Sequence, residues 1–174
     1  MGKELLRPAD VTRTKEWSCM TLSPLPLTNK PIAIASDHAG TGLKHMLITE
    51  LGRLGYKVLN LGTDGSESVD YPDYGFKLAE ALKQGEADYG VLICGSGIGI
   101  SIAANRYRHI RAALCTSGLI ARLSREHNDA NVLVLGARIV GEEVAKDCLH
   151  QFLSTPFAGG RHEGRRNKLA SQGA

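Results

Sequence analysis

A cysteine that closes an apolar strand and opens onto a glycine turn constrains this chain more than any other feature. Residues 89–106 read YGVLICGSGIGISIAANR. Val91, Leu92 and Ile93 form the short continuous apolar run of a strand buried on both faces, and the stretch from Ile100 to Asn105 reads as the first turns of a helix. Gly95, Gly97 and Gly99 lie between them. Without a Cβ, the backbone there can take positive φ, approach a ligand closely and aim several N–H groups at one anionic oxygen near the positive end of the helix dipole. Cys94 sits at the rim of that cradle. The pattern points to a pocket for a phosphate-bearing ligand with a thiol in it; a tight turn whose glycines serve packing alone is the other reading, and spacing leaves both open.

Two better-known glycine loops do not fit. A dinucleotide fold places G-x-G-x-x-G after its first strand and an acidic residue about 20 residues further on. Here the loop reads G-S-G-I-G, and the corresponding later positions are Leu114, Cys115 and Thr116. A P-loop ends in Gly-Lys-Ser/Thr, which does not occur.

From Pro31 onward, short apolar runs alternate with helical patterns, the signature of a parallel sheet covered by helices on both faces. Strands are expected over 32–36, 57–61, 89–94, 111–115 and 131–135. Leu43, Met46, Leu47, Leu51 and Leu54 recur at helical spacing before Gly55, as do Phe76, Ala79 and Leu82 before Gly85. Leu119, Ile120 and Leu123 mark a fourth helix, and Val144, Ala145, Cys148, Leu149 and Phe152 a fifth. The expected fold is a three-layer α/β/α sandwich on a five-stranded parallel, Rossmann-like sheet. Ligands of such sheets bind where the loops leave the carboxyl ends of the strands. Those loops carry Asp37 and His38, a twelve-residue stretch over 62–73 with Asp70, Tyr71, Pro72 and Asp73, the Cys94 turn, Thr116 to Gly118, and Gly136 to Arg138.

A net charge of +3 spread along 174 residues gives no general nucleic-acid surface. The basic run GRHEGRRNK over 160–168 is either a solvated tail or a set of anion ligands. Four dispersed cysteines, Cys19, Cys94, Cys115 and Cys148, form neither a zinc pattern nor a disulfide framework, so a reducing, cytosolic setting is expected. No apolar run approaches the roughly 18 residues of a membrane span, and the first residues lack the apolar core of a signal peptide. Residues 1–30 are expected to form a loosely ordered extension, and 31–174 the domain.

Several candidate residues have ordinary explanations. Asp37 is a favoured helix N-cap, whereas His38 has no capping role. His127 ends the fourth helix, where it can complement the dipole. Cys115 and Cys148 fall on a strand and an apolar helix face, the places of core residues.

As an ordered set, these residues resemble one family. Ser-Asp-His-Ala-Gly (36–40), Asp-Tyr-Pro (70–72), Cys-Gly-Ser-Gly-Ile-Gly-Ile-Ser-Ile-Ala-Ala-Asn (94–105), Ser-Arg-Glu-His-Asn-Asp-Ala-Asn-Val-Leu (124–133) and Gly-Gly-Arg-His-Glu-Gly-Arg (159–165) make the stretch from Pro31 to about Leu169 similar to the type B ribose-5-phosphate isomerases, in the wider family that includes galactose-6-phosphate isomerase subunits. The residues before Pro31 lie outside the pattern.

The resemblance implies aldose–ketose isomerisation of ribose 5-phosphate and ribulose 5-phosphate through a cis-enediolate, with no metal and no cofactor. It implies Cys94 as the base, its thiolate favoured by the helix N-terminus. N–H groups of Gly95, Gly97, Ile98, Gly99 and Ser101 would face the enediolate oxygens, and Ser96 would pass the hydroxyl proton. His127, with Asp37 opposite, would open the furanose. Asn128 and Tyr71 would hold sugar hydroxyls, and His38, Arg138, Arg161 and Arg165 the phosphate. Cys94 together with Ile100, which cannot titrate, places the chain on the cysteine branch rather than the one that uses a glutamate at the position of Ile100. The resemblance also implies a homodimer, or a dimer of dimers, with shared active sites. The same chemistry on a tetrose or hexose phosphate, and a non-catalytic sugar-phosphate-binding module, are the alternatives.

Overall fold

The computed structural model describes residues 29–171. The expected extension over residues 1–30 lies almost wholly outside the described residues, as does Cys19. The order is β1 (Ile32–Ser36), α1 (Thr41–Arg53), β2 (Val58–Asn60), α2 (Tyr71–Lys83), β3 (Tyr89–Cys94), α3 (Ile98–Ala104), β4 (Ala112–Leu114), α4 (Gly118–Asn128), β5 (Val132–Gly136), α5 (Glu142–Ser154) and α6 (Arg161–Ser171), with one 3-10 turn at His38–Gly40. All strand pairs are parallel, in the order β2-β1-β3-β5-β4.

Alternation along the strands divides the core in two. Ile32, Ile34, Val91, Ile93, Leu133 and Leu135 face Leu47 and Leu51 of α1, Ala121 of α4, and Cys148, Leu149 and Phe152 of α5. Ala33, Ala35, Leu92, Val132 and Val134 face Leu78 and Ala79 of α2 and Ile100 and Ala104 of α3. The runs are continuously apolar because both faces are covered, which makes the three-layer sandwich. Burial pushes the Cys115 thiol up to about 12 and that of Cys148 to about 11, so both are inert core residues.

Several expectations need correction, the second and fourth strands being shorter than expected at Val58–Asn60 and Ala112–Leu114. The stretch over 62–73 is not all loop: α2 starts at Tyr71, and Pro72 is tolerated in its first turn because N–H groups there have no helical acceptor. The fifth strand runs one residue later than expected, ending at Gly136. The basic segment is not a tail beyond the last helix but a helix itself, α6. Only His162 of α6 is buried, so an almost wholly polar segment had no apolar stripe to announce it. Gly159 and Gly160, both at positive φ (63° and 55°), turn the chain into α6, and the Ala158 N–H donates to Glu126 O at 3.0 Å, tying the turn to α4. On α4, Leu119 and Ile120 are exposed rather than packed on the sheet.

Candidate active site

Register sets three strand ends side by side. Ser36 pairs with Ile93, and Cys94 with Gly136. Asp37, Gly95 and Ala137 therefore leave the sheet together. The strand order reverses at β1 and β3, where loops diverge to opposite sides and leave a crevice. A pocket of about 360 Å³ lies there, lined by Asp37, His38, Tyr71, Cys94, Gly95, Ser96, Gly99 and Arg138 among others.

Cys94 is buried, and the Gly97 N–H donates to its Sγ at 3.1 Å. That geometry needs the left-handed backbone of Gly97 (φ 78°), where a Cβ would also strike Leu114 and the Gly136 backbone. At Gly99, an added Cβ would lie 2.5 Å from the Tyr71 ring, so the missing side chain is what lets that ring close over the turn. Ser96 Oγ accepts from the Ile98 N–H at 3.3 Å. The Ser101 N–H is committed to Gly97 O at 3.2 Å, whereas Gly99 sits in the first turn of α3, where N–H groups have no helical partner. The Arg138 N–H donates to Gly95 O at 2.9 Å, and its guanidinium lies over Gly95.

Asp37 does cap the turn after β1: its Oδ1 accepts the N–H groups of Ala39 and Gly40 at 3.0 and 3.2 Å. Both bonds fall on one oxygen, so capping fixes the carboxylate without using all of it. His38 Nδ1 accepts the Val69 N–H at 3.2 Å; a neutral ring in that bond carries its proton on Nε2. Val69 belongs to the loop that delivers Tyr71, and that loop is pinned from below. The fully buried Lys44 donates to Gly62 O, to Asn60 Oδ1 at 2.9 Å and to Asp64 Oδ1 at 2.6 Å. The Lys44 ammonium, then Asn60 and His45, hold the Asp64 carboxyl well below the usual carboxylate range. A lone lysine at helical spacing gives no sign of this role in the sequence.

His127, Asn128, Arg161 and Arg165 are not in this pocket. α4 starts at the carboxyl side of the sheet, capped by Ser117 Oγ, and runs back to the amino ends of β4 and β5. There Asp129, at positive φ (49°), joins Arg125 at 2.9 Å, Arg111 at 3.1 Å and Arg166 at 3.2 Å. Five residues of β5 separate the two ends, roughly 16 Å at a strand's rise. Beside Asp129, the half-buried His127 stacks face to face on His162 of α6, with centroids 4.4 Å apart and planes 5° from parallel. Arg161 and Arg165 are exposed on the same helix. His162 received no role from the sequence, because nothing there shows that its segment folds back on α4.

A larger cavity, about 610 Å³, opens at the amino end of β4 between Arg106, Arg108, Arg111, Asn128, Arg166 and Leu169. The smaller pocket is the candidate active site, since it brings together a thiol, a carboxylate, an imidazole, a hydroxyl and the glycine turn. Among the described residues no group of three or more His, Cys, Asp or Glu side chains could hold a metal ion, and no helix is long and apolar enough to cross a membrane.

The sequence pattern of the ribose/galactose isomerase family matches residues 32–169. Over 136 residues the chain is 48% identical to ribose-5-phosphate isomerase B of Escherichia coli, covering 78% of this chain and 91% of that protein. Ribose-5-phosphate isomerase B of Clostridium thermocellum superposes with a TM-score of 0.79 at 54% identity, over 80% of this chain and 95% of that one. The Mycoplasma genitalium enzyme, solved with bound ribulose-5-phosphate, superposes with a TM-score of 0.78 at 38% identity, over 82% and 95%. The chain belongs to the ribose/galactose isomerase family and, with type B ribose-5-phosphate isomerases as its relatives, is an isomerase.

Proposed function

We propose that this isomerase interconverts ribose 5-phosphate and ribulose 5-phosphate in a site that two chains build together. The observation that carries the reading is a buried thiol facing a sugar-sized pocket with a glycine-turn N–H aimed at its sulfur. Cys94 Sγ takes the proton from C2 of the open aldose and returns it to C1, while Ser96 Oγ moves the hydroxyl proton from O2 to O1. Between the two transfers the enediolate charge faces the turn at the start of α3, where the Gly99 N–H has no helical partner and needs no reorganisation to meet it. Asp37, through the oxygen its cap leaves unused, takes the O1 hydroxyl proton on ring opening. His127 gives a proton to the ring oxygen. Tyr71 and Asn128 hold sugar hydroxyls; Arg138, His38 Nε2–H, Arg161 and Arg165 take the phosphate.

His127 and Cys94 serve one substrate only if they come from different chains, because about 16 Å of strand lies between their ends of the sheet. Ile98 and Ile102 of α3 support this, standing 54% and 60% exposed beside the thiol pocket. A second copy over α3 buries them and brings its own His127 and arginines to the pocket. The reading places catalysis in residues 31–174, with 1–30 as an extension, in a reducing cytosol where Cys94, Cys115 and Cys148 stay free thiols.

Assay of four-, five- and six-carbon aldose phosphates for ketose formation tests the substrate. The five-carbon sugar is expected to have the highest kcat/KM. A higher value for a four- or six-carbon sugar replaces the substrate but keeps the chemistry; binding without turnover of any sugar overturns the enzymatic reading.

A further inference from the structure

His162 is the one buried side chain of α6, and it makes two contacts that a packing residue does not need. Its ring is stacked on that of His127, 4.4 Å away and only 5° from parallel. Its Nε2 accepts from Arg161 Nε at 3.3 Å, so a neutral ring carries its proton on Nδ1. The imidazole stands between the group assigned to ring opening and a guanidinium assigned to the phosphate. Burial first, then the charges of His127, Arg161 and Arg165, lower the His162 pKa, and a ring kept neutral can both accept from Arg161 and lie against His127 without repulsion.

We propose that His162 is a positioning residue that sets the His127 imidazole at a fixed offset from the Arg161 guanidinium, so that anchoring the phosphate places the furanose oxygen at His127. The inference rests on the roles of His127 and Arg161 proposed above. Stacking fixes the plane of the ring and covers one of its faces. The bond to Arg161 fixes the distance along α6. Neither contact involves the thiol, so proton transfer between C1 and C2 is untouched.

Two substitutions separate the contacts. His162→Gln keeps an acceptor for Arg161 and removes the stack; His162→Phe keeps a flat ring and removes the acceptor. On ribose 5-phosphate, His162→Gln is expected to lower kcat about tenfold or more with little change in KM, and His162→Phe to raise KM with kcat nearly kept. On a four-carbon aldose phosphate, whose phosphorylated O4 cannot close a furanose, His162→Gln is expected to keep the wild-type kcat. The His127 Cε1–H resonance reports the stack directly, and it should lose its ring-current shift in His162→Gln but keep one in His162→Phe. Wild-type kcat on ribose 5-phosphate in His162→Gln, with the resonance shifted, overturns the inference; so does an equal loss on both sugars. His127→Asn measured alongside separates the two levels. If it spares ribose 5-phosphate, the ring-opening role and this inference fall together; if it hurts ribose 5-phosphate selectively while His162→Gln does not, only the inference falls.

Discussion

Cys94 occupies the last position of β3, where the strand's buried alternation hands the side chain to the pocket and the Gly97 N–H meets its sulfur at 3.1 Å. Cys94→Ala is expected to lower kcat by about two to four orders of magnitude while KM moves little, the range of a lost general base. Near-normal turnover would remove the thiol from the mechanism. His127→Asn should cost turnover of ribose 5-phosphate far more than that of the four-carbon aldose phosphate, because only the furanose has a ring to open; steady-state kinetics on both sugars checks this. The sequence placed Asp37, Cys94 and Ser96 correctly at strand ends, since strand periodicity and a glycine turn are local signals. It could not show that Asp37 uses one oxygen for a cap, that Val69 sets the His38 tautomer, or that His162 stacks on His127. The cap is local, but which oxygen it uses is a matter of side-chain geometry; the other two depend on contacts over roughly 30 residues or more, the second on a fold-back with no apolar pattern.

At the scale of elements, polar anchors hold the loops and helix ends in place or tie neighbouring helices together. Lys44 of α1 fixes the β2–α2 loop under Tyr71, and Arg125, nearly fully buried against Tyr89 and Phe152, ties the end of α4 to Ala130 O at 2.5 Å. Glu50 of α1 clasps α5: it meets Arg53 at 2.6 Å and His150 at 2.5 Å. The Arg53 hydrogen bonds foremost, against burial and with help from His150, lower the Glu50 pKa from 4.5 to about 2. A carboxylate depressed in the fold adds stability above its unfolded pKa and loses it as pH falls through the folded one, here between about 4.5 and about 2. Glu50→Gln should therefore destabilise the fold by about 1 to 3 kcal/mol at pH 7, the lower figure reflecting solvent screening at the exposed Arg53, and the gap should close as pH falls toward 2. Urea unfolding of both proteins across that range checks it; a gap independent of pH would show that packing, not charge, holds the clasp. Helices α1, α2 and α5 were legible because an apolar stripe must face the sheet, whereas α4 was read partly from Leu119 and Ile120, which stand exposed. α6, which packs on a helix and not on the sheet, had no such stripe.

For the whole molecule, sheet direction decides the matter. Helices that follow a parallel strand carry the chain back to the amino edge, so a residue at the end of α4 cannot share a pocket with the end of β3 in the same chain. On the proposed reading, the Cys94 pocket and the His127, Arg161 and Arg165 cluster are two half-sites, so that a second chain closing one would close the other by symmetry. The most direct measurement mixes inactive Cys94→Ala chains with inactive Arg161→Ala/Arg165→Ala chains and allows subunits to exchange, with exchange followed by native mass spectrometry of differently tagged chains. Random pairing makes half of the dimers mixed, each with one intact site, so activity should return to about a quarter of the wild-type value per chain. Proven exchange with no recovery of activity would contradict the shared site.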